Sequence, residues 1–294
     1  MGRMRLTIGV LALCMSFTTG CLFRSHAVHA VRLDVPLKSA TQNELVSRIN
    51  EIAASVQTMS ATVDIDTTVG GEKKGKVTEY QQIRGYILVQ KPAMLRMKGL
   101  LPIVRNTAFD MVSDGEHFKL SIPPKSRFIV GSNQITKLSD NTLENLRPQV
   151  IYDALVIPAI DPTSEVAVVE EGKQELQDPR TRKLTSQPNY HVVVIRHNPE
   201  GEWHLYRKIY FSRADLQPYR QTIYDEKGAI ATDVTYSDPQ DYNGVRFASL
   251  IEIQRPAEEY SIAIKMVKLT MNEALTPDKF QLDVPAGATV TELK

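Results

Sequence analysis

The stretch "SATVDIDTTV", residues 60–69, decides the fold class. Ala61, Val63, Ile65, Thr67 and Val69 alternate with Thr62, Asp64, Asp66 and Thr68. A period of two turns one set toward an apolar interior and the other toward water, as in a half-buried antiparallel strand. Upstream the period is helical. Thr41 and Glu44 have capping-box spacing, and Leu45, Ile49, Ile52, Ala53 and Val56 recur at steps of three and four, which predicts a helix over 41–56. Downstream, "VGGEKKG" supplies a turn and a long strand is expected over 77–90. Further strands follow around 95–98, 107–112, 118–122 and 128–130.

A second helical pattern occupies 141–155, where Pro148 either kinks the helix or starts a new one. Strands resume over 166–170, 190–197, 203–211, 219–224, 230–236, 250–254 and 261–269. The polar segment 172–188, bracketed by proline, reads as a hairpin tip or loop. "DEKGA" and "DYNGV" read as hairpin turns, with Gly228 and Gly244 available for positive φ. No βαβ rhythm appears. The expected class is mainly β (α+β): one strongly curved antiparallel sheet with a few helices. No internal repeat or linker divides it.

The 294 residues carry a formal net charge of +1. There is no basic footprint for nucleic acid. The chain starts with Arg3 and Arg5, an apolar run over 6–17, and small residues. That run is too short to span a bilayer and has the pattern of a secretory signal. Its exit, Thr18-Thr19-Gly20-Cys21, resembles the lipobox of bacterial lipoproteins. The resemblance implies cleavage before Cys21 and acylation of its thiol; the other reading is a cysteine beside an ordinary cleavage site. Cys14 follows bulky Leu13 and fits less well. The expected organisation is a signal peptide over 1–20, acylated Cys21 and tether over 21–40, and one body over 41–294. A mature chain with only Cys21 can form no internal disulfide, so its core must hold it together.

Two blocks carry a wider resemblance. One is "GYILVQKPAMLRMKG", 85–99, with "FDMVSDGEHFKL", 109–120. The other runs from 209 to 253 and ends in "MNEALTPDKFQLDVPAGATV", 271–290, with Asn272, Phe280, Pro285, Gly287 and Val290 in order. The chain from about residue 45 onward resembles the LolA/LolB-like superfamily of periplasmic lipoprotein carriers and outer-membrane lipoprotein receptors. The resemblance implies an incomplete antiparallel β-barrel with helices over an apolar cavity for acyl chains.

Val63, Ile65, Ile87, Val89, Leu95, Met97, Phe109, Leu120, Ile262, Ile264 and Met266 become candidates for the cavity wall, plain core being the alternative. Met94, Met97 and Met266 suit an adaptable lipid surface and equally fill ordinary gaps. The carrier's functional arginine before proline is Lys91 here, which keeps the charge without the planar fork. Leu100, Leu101, Ile103 and Val104 in "KGLLPIVRN" occupy a place comparable to the receptor's exposed apolar loop; they either touch lipid or a lipidated partner, or tuck under the barrel. Leu22 after Cys21 implies, by the family's sorting rule, an outer-membrane destination facing the periplasm.

No Gly-x-Ser-x-Gly elbow, P-loop or His-Glu-x-x-His motif occurs. His117, His191, His197 and His204 lack a ligand spacing. Acidic pairs such as Glu170-Glu171 read as solvated. No catalytic residue, metal or cofactor is expected. The leading expectation is a non-enzymatic, lipid-anchored envelope protein that binds acyl chains or lipidated proteins, with a periplasmic carrier or another envelope protein as partner. The alternatives are a sensor or protein-interaction module of the same fold, and a structural lipoprotein with a filled core.

Overall fold

The computed structural model describes residues 36–134, 147–177, 181–182, 184–198 and 200–293. The expected signal peptide, Cys21 and most of the tether lie outside them, as do residues 141–146 of the second helical pattern. The chain divides into two compact units. The body comprises Val35–Gly172 and Pro188–Lys294, and Lys173–Gln187 belongs to the other.

The elements are α1 (Gln42–Ser55), β1 (Thr58–Gly71), β2 (Lys76–Glu79), β3 (Ile83–Gln90), β4 (Met94–Leu100), β5 (Thr107–Ser113), β6 (His117–Ile122), β7 (Arg127–Ser132), α2 (Pro148–Leu155), β8 (Glu165–Gln177), β9 (Leu184–His197), β10 (Trp203–Ser212), β11 (Pro218–Tyr224), β12 (Ile230–Tyr242), β13 (Val245–Arg255), β14 (Tyr260–Met271) and β15 (Thr289–Leu293). All strands join one sheet in the order β15-β7-β6-β5-β4-β3-β1-β14-β13-β12-β11-β10-β9-β8, with β2 paired to the far end of β1. Its edges, β15 and β8, do not pair. The sheet is curved and unclosed, an incomplete half-barrel.

Each expected strand is present, and several boundaries are corrected. The long strand over 77–90 is two, because β1 changes partner. Its first half pairs β3 up to Ile65↔Ile83 and its last residues pair β2 from Thr68↔Glu79. Between them Gln82 Nε2 donates to Asp66 Oδ2 at 2.8 Å. The segment 172–188 is not all loop, since β8 extends to Gln177 and β9 starts at Leu184; ladder hydrogen bonds rather than apolar alternation hold these polar arms. β15 was not foreseen, and it pairs β7 in parallel.

The helices follow their sequence signals. Thr41 caps α1 in a full capping box with Glu44, and this backbone hydrogen bond holds the Glu44 carboxyl below its ordinary range. Pro148 stands at the start of α2, where its missing N–H costs nothing. Leu45 and Ile49 of α1 pack with Val192, Val194, Ile209 and Phe211 on β9 and β10. Ile151, Tyr152, Ala154 and Leu155 of α2 pack over β1, β3, β4, β13 and β14. Gly85, inside β3, leaves no room for a side chain: a Cβ there would lie 2.6 Å from Ile65 Cδ1 and 2.9 Å from Lys98 O.

Asn272, just past β14, ties the frame together. Its Oδ1 accepts from the Gln57 and Thr58 backbone at 2.8 and 3.4 Å, and its Nδ2 donates to Ser55 O at 2.8 Å. Its φ of 61° is one that asparagine tolerates better than most residues. We expect Asn272→Ala to lower the free energy of urea unfolding by about 1–3 kcal/mol. An unchanged midpoint would show that the frame does not depend on it.

Candidate functional site

The wall residues expected from sequence share one interior. Val63, Ile65, Ile87, Val89, Leu95, Met97, Ile262, Ile264 and Met266 are buried in the central cluster with α2, and Phe109 and Leu120 pack half-buried against it. None of them lines the cavity described next.

That cavity, of about 250 Å3, lies where the two helices end. Ile52, Ser55 and Val56 at the end of α1 and Leu155, Val156 and Ile157 at the end of α2 form one side. Tyr236, Ser237, Asp238 and Pro239 of β12 and Val245, Phe247 and Ala248 of β13 form the other. The β10–β11 turn adds Ser212, Asp215, Gln217, Pro218 and Tyr219. Sequence reasoning missed this site because it ended β12 at Tyr236 and began β13 at 250. The turn at "DYNGV" was legible, but Pro239 hid the length of the two arms that it joins. Asn243 and Gly244 have φ of 56° and 85°, which fits the two-residue turn. The alternation of Val245 and Phe247 was the signal available.

Hydrogen bonds from the sheet, its turns and α2 itself fix the helix ends beside the cavity. Lys91 Nζ donates to Ala53 O near the end of α1, and burial pulls this ammonium below its ordinary pKa. Tyr152 OH donates to Pro92 O at 2.6 Å, while burial raises its phenol to about 12. Tyr236 OH donates to Ala154 O at 3.0 Å. Burial raises that phenol too. Beyond α2, the fully buried guanidinium of Arg207 donates to Pro158 O at 2.9 Å and Ala159 O at 3.0 Å. It also lies 3.6 Å from Glu165, which accepts two hydrogen bonds from Arg196. Lys91 therefore links the β3–β4 turn to the end of α1.

The loop after β4 is different in character. Leu100 and Leu101 are half-buried, but Ile103 is 97% exposed and Val104 62%. Leu101 N donates to Asn106 O at 2.7 Å and Arg105 N to Leu101 O at 3.0 Å, so the loop has a defined shape. It holds Ile103 at φ 67°. A β-branched residue is strained there.

The histidines serve separate local contacts. His191 lies 3.1 Å from Glu170, and His197 packs at a tilt against Trp203 with 5.0 Å between ring centres. No group of three His, Cys, Asp or Glu among the described residues could hold a metal. No described helix is long and apolar enough to cross a membrane.

No protein-family profile matches the sequence, and no curated protein sequence does. The chain is similar to several solved structures over most of its length. A DUF1329 family protein from Desulfovibrio piger is 15% identical, with 81% of this chain and 94% of that one covered and a TM-score of 0.49. A LolA superfamily protein from Nitrosomonas europaea is 12% identical over 83% and 99%, with a TM-score of 0.48. A Vibrio parahaemolyticus domain described as an outer membrane lipoprotein-sorting protein is 12% identical over 81% and 94%, with a TM-score of 0.46.

One carboxyl near the cavity has a testable signature. Burial pushes Asp153 up to about 6, against a hydrogen bond from Gln149 and the charges of Arg207 and Arg196. The folded-state value lies above the ordinary 3.8. The burial cost is therefore absent below about pH 4 and grows as pH rises through about 6. Asp153→Asn should stabilise the protein at pH 8 by up to about 3 kcal/mol. Urea unfolding should show the gain disappear near pH 4; a gain independent of pH would mean that the carboxyl is not desolvated.

Proposed function

We propose that this protein is a non-enzymatic binding protein of the bacterial envelope, anchored through acylated Cys21, that holds an acyl chain or the acyl chain of a lipidated polypeptide. The observation that carries the reading is the largely apolar cavity at the helix ends. Apolar burial supplies about 0.8 kcal/mol per methylene, enough for a modest chain to bind without a charged anchor. α2 has only eight residues and covers the wall candidates around Val89, Met97 and Ile264. Its movement would extend the cavity across that wall, at the cost of the Tyr152 and Tyr236 hydrogen bonds. Ala248→Phe fills the cavity directly. It should weaken binding of a fluorescent decanoyl probe at least about tenfold while the protein stays folded. Undiminished binding would overturn the reading.

Ile103 and Val104 supply the contact with a membrane or with lipid on a partner. The fold holds an isoleucine in water at an unfavourable φ, where asparagine would relieve the strain. Ile103→Asn should therefore stabilise the protein by about 1 kcal/mol. It should also reduce co-sedimentation with phosphatidylethanolamine–phosphatidylglycerol vesicles several-fold. Loss of stability with unchanged sedimentation would assign the loop to packing.

A further inference from the structure

The mouth of the cavity has a consistent sign. Both helices point their C-terminal ends at it, through Ser55 and Val56 and through Leu155 to Ile157. A helix C-terminus carries about half a negative charge. Asp215 and Asp238 add two carboxylates to the lining, and the other polar side chains are Ser55, Ser212, Ser237, Gln217, Tyr219 and Tyr236. No Lys or Arg lines the cavity. Outside the lining, Arg246 lies 3.6 Å from Asp215 and faces Asp241 across the β12–β13 ladder, and the Lys91 ammonium donates to Ala53 O near the end of α1. Asp238 sits at φ 50° on an exposed part of β12, which aims a carboxylate-bearing residue at the rim without an ion-pair partner among the described residues.

We infer that the cavity selects single-chain amphiphiles whose head donates hydrogen bonds and carries no negative charge, such as acylglycerols or N-acyl amides, and excludes free fatty acids. The inference rests on the cavity being a chain-binding site and goes further, to the class of its ligand. The two carboxylates of the lining, Asp215 and Asp238, repel a fatty-acid carboxylate at the mouth. The same carboxylates and hydroxyls accept from a hydroxyl or amide. The volume sets a length as well: at about 30 Å3 per water-sized group, 250 Å3 takes about eight. A chain of about eight carbons therefore fills it while its head stays at the rim.

The test compares decanoate with 1-decanoylglycerol, below their aggregation limits, by calorimetric titration of the full-length protein at low salt. The glycerol ester should bind at least about tenfold more tightly, with the gap narrowing as salt rises. In Asp215→Asn/Asp238→Asn, Arg246 loses its partner and the preference should vanish or reverse. Asparagine suits the φ at position 238, and both sites are at the surface, so folding should be kept. Equal affinities, or tighter binding of decanoate to the unaltered protein, would overturn the selectivity while leaving the cavity reading intact. Binding of neither ligand would overturn the cavity reading itself.

Discussion

The pairing of β1 with β14 is the constraint on which the rest depends. It joins the strands β3 to β7 on one side to the meander β8 to β13 on the other. The seam runs from Met59↔Met271 to Val69↔Tyr260 and shifts register at Thr62/Val63. A slip of one residue would turn Val63, Ile65, Ile262 and Ile264 from the core to solvent and Asp64 and Lys265 inward. Asn272 fixes the end of the seam and, through Ser55 O, the end of α1. The position of the cavity follows, because α1 can stop only where the seam lets it.

The cavity is thus a by-product of how helix ends are satisfied. Carbonyls at the ends of helices need donors. Here the sheet provides them from Lys91, Asn272 and Tyr236. Side chains that reach up to a helix end keep that end off the sheet, and the space left over is lined by whatever apolar residues face it. The same arrangement leaves the negative ends of two helices beside one opening.

Much of this was legible in the sequence. Alternation from Ala61 to Val69 gave β1, Thr41 and Glu44 gave the start of α1, and Pro148 marked the start of α2. The residues expected to face inward do so, since alternation reports the face. It does not report whether a face meets a void or another side chain, and that is why the wall candidates were identifiable while the cavity at Phe247 and Ala248 was not. Pro239 pairs with Ala248 of the next strand, and β1 divides its pairing between β2 and β3; a local period reports the face of a residue and not its pairing partner. The exposure of Ile103 was visible only as a surplus of apolar residues in a turn.

The seam also governs when the molecule can acquire its structure. Strand residues 58–71 lack one neighbour until residues 260–271 have been made, which leaves roughly 190 residues to be looped out at a cost of about 4–5 kcal/mol. Such a chain cannot complete its sheet while still emerging from the ribosome. The last strands to appear hold the key, and the sheet stays incomplete until the C-terminal portion exists.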